Sequence, residues 1–196
     1  MKNRPTLRLA VRPRSLSLKV SPAVVALLLL ALVAPAKAQS GSGNQFPALG
    51  NCQILQVPAG NALLAHAVGV GVQIYSWDGM KWNFVSPEAT LFAANWFQAG
   101  FEEVIAFHFA GPTWEDLTGS TVIGKTSQSC TPNANAIPWL LLSASSNTGR
   151  GPFSKATFIQ RLYTVGGTAP ATPGTTPGEV VRVPYSADYY FYQKQR

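Results

Sequence analysis

From residue 53 to residue 192 the chain is a succession of short apolar segments, rich in Val, Ile, Thr and aromatic residues and broken by turn residues at strand-like intervals. Apolar side chains recur at every second position, the period of a strand with one buried face. That pattern predicts an all-β domain. The clearest case is Val70-Gly71-Val72-Gln73-Ile74-Tyr75-Ser76-Trp77 followed by Asp78-Gly79, a turn pair that favours a hairpin with residues 81–85 as its second arm. Further strands are expected at 53–57, 61–68, 90–92, 104–109, 120–126, 139–144 and 156–163, with a closing strand at 188–192. Residues 87–100 carry a helical alternative, with Glu88 in a first turn, although a clean 3.6 period is missing. A single antiparallel β-sandwich and a closed β-barrel both give every strand a buried side. The sequence leaves both open.

Ahead of this region stands a different kind of segment. Lys2, Arg4, Arg8, Arg12, Arg14 and Lys19 form a basic leader that runs into an apolar stretch at 23–34 and then Ala36-Lys37-Ala38. This is the pattern of a secretory signal peptide with an A-x-A cleavage site. The apolar run is shorter than the roughly 20 residues a spanning helix needs, so no membrane span is expected after cleavage. The expected organisation is a signal peptide over 1–38, a Gly/Ser/Gln-rich flexible lead-in over 39–50 and one domain over 51–196. The expected location is outside the cytoplasm, periplasmic or secreted. A Gly/Pro/Thr/Ala stretch at 166–178 reads as a long surface loop returning the chain to its last strand.

The leader also explains the charge. The full chain carries +7, but seven of its fifteen Lys/Arg fall within 1–38, leaving eight against eight Asp/Glu. A mature chain near neutrality lacks the basic surface that nucleic-acid binding requires. Two cysteines remain, Cys52 and Cys130. In an exported chain they read first as one disulfide, stabilising by about 3–5 kcal/mol, and otherwise as two buried thiols. Two cysteines and two histidines, none closely spaced, do not make a zinc site, and no cofactor is implied.

Several segments together resemble a known family. They are Gly-Val-Gln-Ile-Tyr at 71–75, Pro-Glu-Ala at 87–89, His-Phe-Ala-Gly-Pro-Thr-Trp-Glu at 108–115 and Ala-Ile-Pro-Trp-Leu-Leu-Leu at 136–142. Gln160-Arg161-Leu162, Thr-Val-Gly-Gly at 164–167 and Val-Pro-Tyr-Ser-Ala-Asp-Tyr-Tyr-Phe-Tyr at 183–192 complete the set. In that order they resemble a family of secreted bacterial and fungal proteins classed as a domain of unknown function. Relatives often hold one cysteine just after the Gln-Ile-Tyr strand and another in the Gly/Pro loop. Here those places hold Trp77 and residues 173–177, and the resemblance suggests Cys52 with Cys130 as a substitute staple. Some fungal relatives carry a malate dehydrogenase label, which requires G-x-G-x-x-G opening a helix. Gly69-Val70-Gly71 is only a fragment of that motif.

Candidate chemistry is sparse. His108, between Phe107 and Phe109 at a strand end, has the residue type for proton transfer if a carboxylate orients it. The plainer expectation is a strand residue whose ring is hydrogen-bonded at the sheet rim. Glu115 and Asp116 could pair with Glu88, Glu102 or Glu103 as the two carboxylates of a glycosidase, at a separation of about 5–10 Å. Solvated turn residues are the expected alternative. No G-x-S-x-G elbow or Cys–His arrangement is visible. Trp114, after Gly111-Pro112 on an expected loop, offers a face for a ring or apolar ligand, while Trp139 reads as packing. A ligand site is therefore expected around residues 111–119, with Trp114 as the stacking surface and His108 and Glu115 as polar contacts. The function expected is a non-catalytic binding or structural domain, its partner a small molecule, a glycan or an envelope protein. A small secreted hydrolase acting on glycans or esters is the alternative.

Overall fold

The computed structural model describes residues 46–94 and 103–196. The leader at 1–38, the first part of the lead-in and the end of the helical alternative at 87–100 lie outside the described residues. Eight strands follow one another: β1 Asn61–Trp77, β2 Trp82–Ala93, β3 Val104–Phe109, β4 Thr113–Asp116, β5 Thr121–Cys130, β6 Trp139–Thr148, β7 Ala156–Gly166 and β8 Val180–Lys194. Each is antiparallel to the next, and β8 returns to pair with β1, so the sheet closes into a barrel. Of the two architectures the sequence allowed, the chain adopts the one without sheet edges. Among the described residues no helix is long and apolar enough to cross a membrane.

The β1–β2 hairpin forms where Asp78-Gly79 places it, closed by the Trp77–Trp82 pair. The Asp78 carboxylate accepts the amide hydrogens of Met80 and Lys81 at 2.8 and 2.9 Å, and Gly79 takes φ of 99°. Strand β1 is one 17-residue strand rather than the two expected segments. Register shifts after Leu63 and after Ile74 let it curve around the ring. Residues 87–93 belong to β2, not to a helix. Residues 53–55 form a short 3-10 turn instead of the expected strand, because the closed ring offers this segment no free edge. Its apolar residues cover the outer wall: Leu49, Cys52, Leu55 and Val57 pack on Leu141, Leu162, Tyr190 and Tyr192. The Cys52–Cys130 disulfide fastens this cover to the end of β5.

Alternation along β8 explains its aromatic run. Tyr185, Ala187, Tyr189 and Phe191 enter the barrel core, whereas Tyr190 and Tyr192 face the N-terminal cover. Both faces are buried, so the run reads as continuously apolar. The opposing face of β1 is correspondingly small. Ala67, Gly69 and Gly71 pair with Tyr189, Ala187 and Tyr185, and a Cβ on Gly69 would lie 2.6 Å from the Tyr189 ring.

One end of the barrel is plugged. The 3-10 turn Pro152–Lys155 inserts Phe153 beneath Phe191, ring centroids 4.4 Å apart. Asp116 organises this floor: its carboxylate accepts hydrogen bonds from the Thr118 amide and hydroxyl, the Ser120 amide and the Ser120 hydroxyl. The Phe153 amide donates to Ser120 Oγ at 3.1 Å. The other end opens into a cavity.

Candidate functional site

The open end holds a cavity of about 480 Å³. Leu140 and Leu142 from β6, with Ile137 and Pro138 from the preceding loop, supply one apolar wall. Phe84, Val85 and Pro87 of β2 and the Gly111-Pro112 turn supply the other. The polar groups are Gln73 and Tyr75 from β1, His108 from β3, Thr126 from β5 and Arg161 from β7, with the indole of Trp114 at the floor. Tyr75 also braces the rim, its hydroxyl donating to Gly167 O at 2.6 Å. The size and the mainly apolar lining with a few convergent polar groups are those of a small-molecule site.

His108 and Trp114 face each other across the β3–β4 pair. The imidazole is 3% exposed and stacks on the indole, with Tyr189 edge-on to both. His108 Nδ1 lies 2.8 Å from Thr113 O. A carbonyl only accepts, so Nδ1 carries the hydrogen and Nε2 keeps the lone pair. Burial pushes the His108 pKa from 6.5 down to about 3; the Thr113 bond opposes this and the nearby Arg161 charge adds to it. The ring is therefore neutral at neutral pH. Tyr189, hydrogen-bonded to Tyr185 through the two hydroxyls at 3.0 Å, is pushed well up by burial.

Arg161 points inward beside Leu140, its partner on β6. Its Nε and Nη2 donate to Pro138 O at 3.2 and 2.9 Å. Among the described residues the side-chain ion pairs are His66–Asp188 and Arg182–Glu88. Arg161 thus brings a cation to the cavity with no carboxylate among the described residues to match it. The Arg161 guanidinium also interacts with the Tyr189 hydroxyl, and Gln73 with that of Tyr185; Gln73 Nε2 and Trp114 Nε1 lie behind the lining, without surface open to the cavity.

The structure brings two of the three sequence-derived site residues together. His108 and Trp114 line the cavity; Glu115 does not. Successive side chains on a strand point to opposite faces, so Glu115 lies on the outer wall, paired with Phe107. Trp114 sits in a strand and is 1% exposed, not on a loop with a free face. Asp116 is likewise buried in the floor network rather than solvated. Glu88 is engaged with Arg182 at 2.8 Å, and Glu102 lies outside the described residues. Sequence reasoning missed Arg161, Gln73 and the Leu140/Leu142 wall as site residues. The available signal was a charged side chain on the core-facing positions of β7, opposite Leu140. Among the described residues no three His, Cys, Asp or Glu side chains converge as a metal site. Nor does Gly69-Val70-Gly71 open a helix, lying as it does within β1.

A closed, eight-stranded antiparallel barrel with one end plugged and the other opening on a mainly apolar chamber belongs to the class of β-barrels that enclose a cavity. The chain belongs to the family described as "Protein of unknown function (DUF3455)", which matches residues 58–193, from just before β1 to the end of β8. Cys52 precedes the matched range and Cys130 falls within it. No curated protein and no solved structure gives a significant match.

Proposed function

We propose that this chain is an exported protein that binds a small molecule in the open end of its barrel, without chemical conversion. The observation that carries the reading is the chamber itself. About 480 Å³ of mainly apolar space holds a guanidinium that has no acidic partner among the described residues. A charge beside apolar walls is costly unless paired, and a ligand offering acceptor oxygens would pair it. Export is supported by the basic and apolar leader with its A-x-A site and by the disulfide. N-terminal sequencing of the recovered protein should begin at Gln39; a chain retaining residues 1–38 would overturn that part.

The hydrolase alternative gains no support. His108 is held neutral between aromatic rings, with its pKa near 3, far from the value a general base needs at neutral pH. Glu115, the acid that would orient it, is on the other face of the sheet. The binding reading is tested with methyl 2-naphthoate, an uncharged apolar probe. At about 100 times its dissociation constant it should stabilise the protein by about 2.7 kcal/mol, hence raise Tm by roughly 5–10 °C. Leu140→Trp, which fills the chamber, should remove the shift. An unchanged Tm across a series of apolar probes of this size would sink the reading.

A further inference from the structure

The polar groups facing the chamber are dominated by donors. Arg161 has five N–H bonds, and Pro138 O takes one from Nε and one from Nη2. The Tyr189 hydroxyl takes a further interaction from Arg161 and the Tyr185 hydroxyl one from Gln73, while Gln73 Nε2 and Trp114 Nε1 have no surface open to the chamber, so the donors a ligand meets are the remaining N–H bonds of the guanidinium. A ligand that satisfies this set must present acceptor oxygens and carry negative charge. The fixed fork of a guanidinium matches the two oxygens of a carboxylate. Among the described residues lining the chamber Arg161 is the one cation, and the imidazole there, His108, is neutral and has a lone pair on Nε2. One positive charge suits a single negative charge. The remaining lining, Leu140, Leu142, Ile137 and Phe84 among it, offers nothing polar to the rest of the ligand.

We propose that the ligand is a monocarboxylate with an apolar body, its carboxylate held by Arg161 and its body against the Leu140/Leu142 wall. This rests on the reading of the chamber as a binding site and adds the chemical class of what enters it.

The test compares 2-naphthoate, its methyl ester and 2-naphthyl phosphate by calorimetry on the purified protein at neutral pH. The acid is expected to bind about tenfold to a hundredfold more tightly than the ester, the scale of a charge-assisted hydrogen bond. Arg161→Gln should erase the acid's advantage over the ester, and Arg161→Lys, which keeps the charge but loses the fork, should retain part of it. Equal affinity for acid and ester in the unaltered protein overturns the carboxylate inference and leaves the chamber reading standing. Binding of neither overturns both. Tighter binding of the phosphate than of the acid overturns the assignment to a monoanion. The acid-to-ester ratio is measured on the unaltered protein, so it decides the matter even if a change at Arg161 disturbs the Pro138 loop.

Discussion

The imidazole of His108 lies flat against the indole of Trp114, ring centroids 4.2 Å apart and planes within 5° of parallel. The pair is positioned by the β3–β4 register, which sets the two residues opposite each other on the inner face. It separates the plugged half of the barrel from the open half. A neutral ring suits this position, since a charged imidazole there would be desolvated on every side.

That neutrality predicts acid sensitivity. The unfolded ring takes a proton near 6.5, the folded one only near 3. Between those values the unfolded chain holds more protons, so stability is full above about pH 6.5 and is lost as pH falls. The slope should approach 1.4 kcal/mol per pH unit, roughly, between about pH 6 and 4.5, before the carboxylates titrate. Urea midpoints should fall over that window, and His108→Gln should be flat across it. Equal midpoints at both ends of the window in the unaltered protein would show that the ring accepts its proton in place.

The disulfide joins residues separated by 78 positions and pins the N-terminal cover over Leu162, Tyr190 and Tyr192. Reduction, or Cys52→Ala with Cys130→Ala, should cost about 3–5 kcal/mol. It should also speed hydrogen exchange at Leu55 and Gln56, whose amides bond within the cover. Exchange that speeds equally throughout the barrel would contradict a role confined to fastening the cover.

Gly71 lies against the β2 backbone: a Cβ there would sit 2.5 Å from Ala89 Cα and closer still to Glu88 O. Backbone cannot swing aside as a side chain does. Gly71→Ala should therefore destabilise by about 1–3 kcal/mol or more, and by more than Gly69→Ala, where the obstacle is the Tyr189 ring. Denaturant unfolding of the two variants checks the order, and the reverse order would refute the packing account.

At the mouth, the Trp77 ring rests on Gly174 and the Trp82 indole donates to Thr172 O at 2.9 Å. Trp77 also exchanges backbone hydrogen bonds with Gly178 and Glu179. Gly174→Ala would place a Cβ 2.6 Å from Trp77 Cγ. It should cost about 1–3 kcal/mol and raise proteolytic cutting within 167–179. Resistance equal to that of the unaltered protein would show that this contact does not hold the loop.

Much of the fold was legible because alternation is a local property. Residues 104–109 emerge as a strand at the expected bounds, and Asp78-Gly79 marks its hairpin. Gly69 falls between the expected strands 61–68 and 70–77, but it and Gly71 are interior positions of one strand, emptied to admit Tyr189 and the β2 backbone. Leu55 and Val57 have strand spacing, yet what they cover is the outside of a ring already closed. Strand β4 is four residues long, too short to show a period, and for that reason Trp114 was read as a loop residue and Glu115 as its neighbour in the site. Arg161 stayed hidden because its significance lies in facing no acid among the described residues across the barrel, which no local pattern records.

The pairing of β8 with β1 has a consequence for how the chain becomes a protein. The seam joins Asn61 to Lys194 and runs on to Ser76 with Val180, so the ring stays open until β8 has been made. Contacts of such long range form late and slowly. A polypeptide whose first strand waits for its eighth remains unclosed, and threadable through a narrow passage, while the seven strands before it are made.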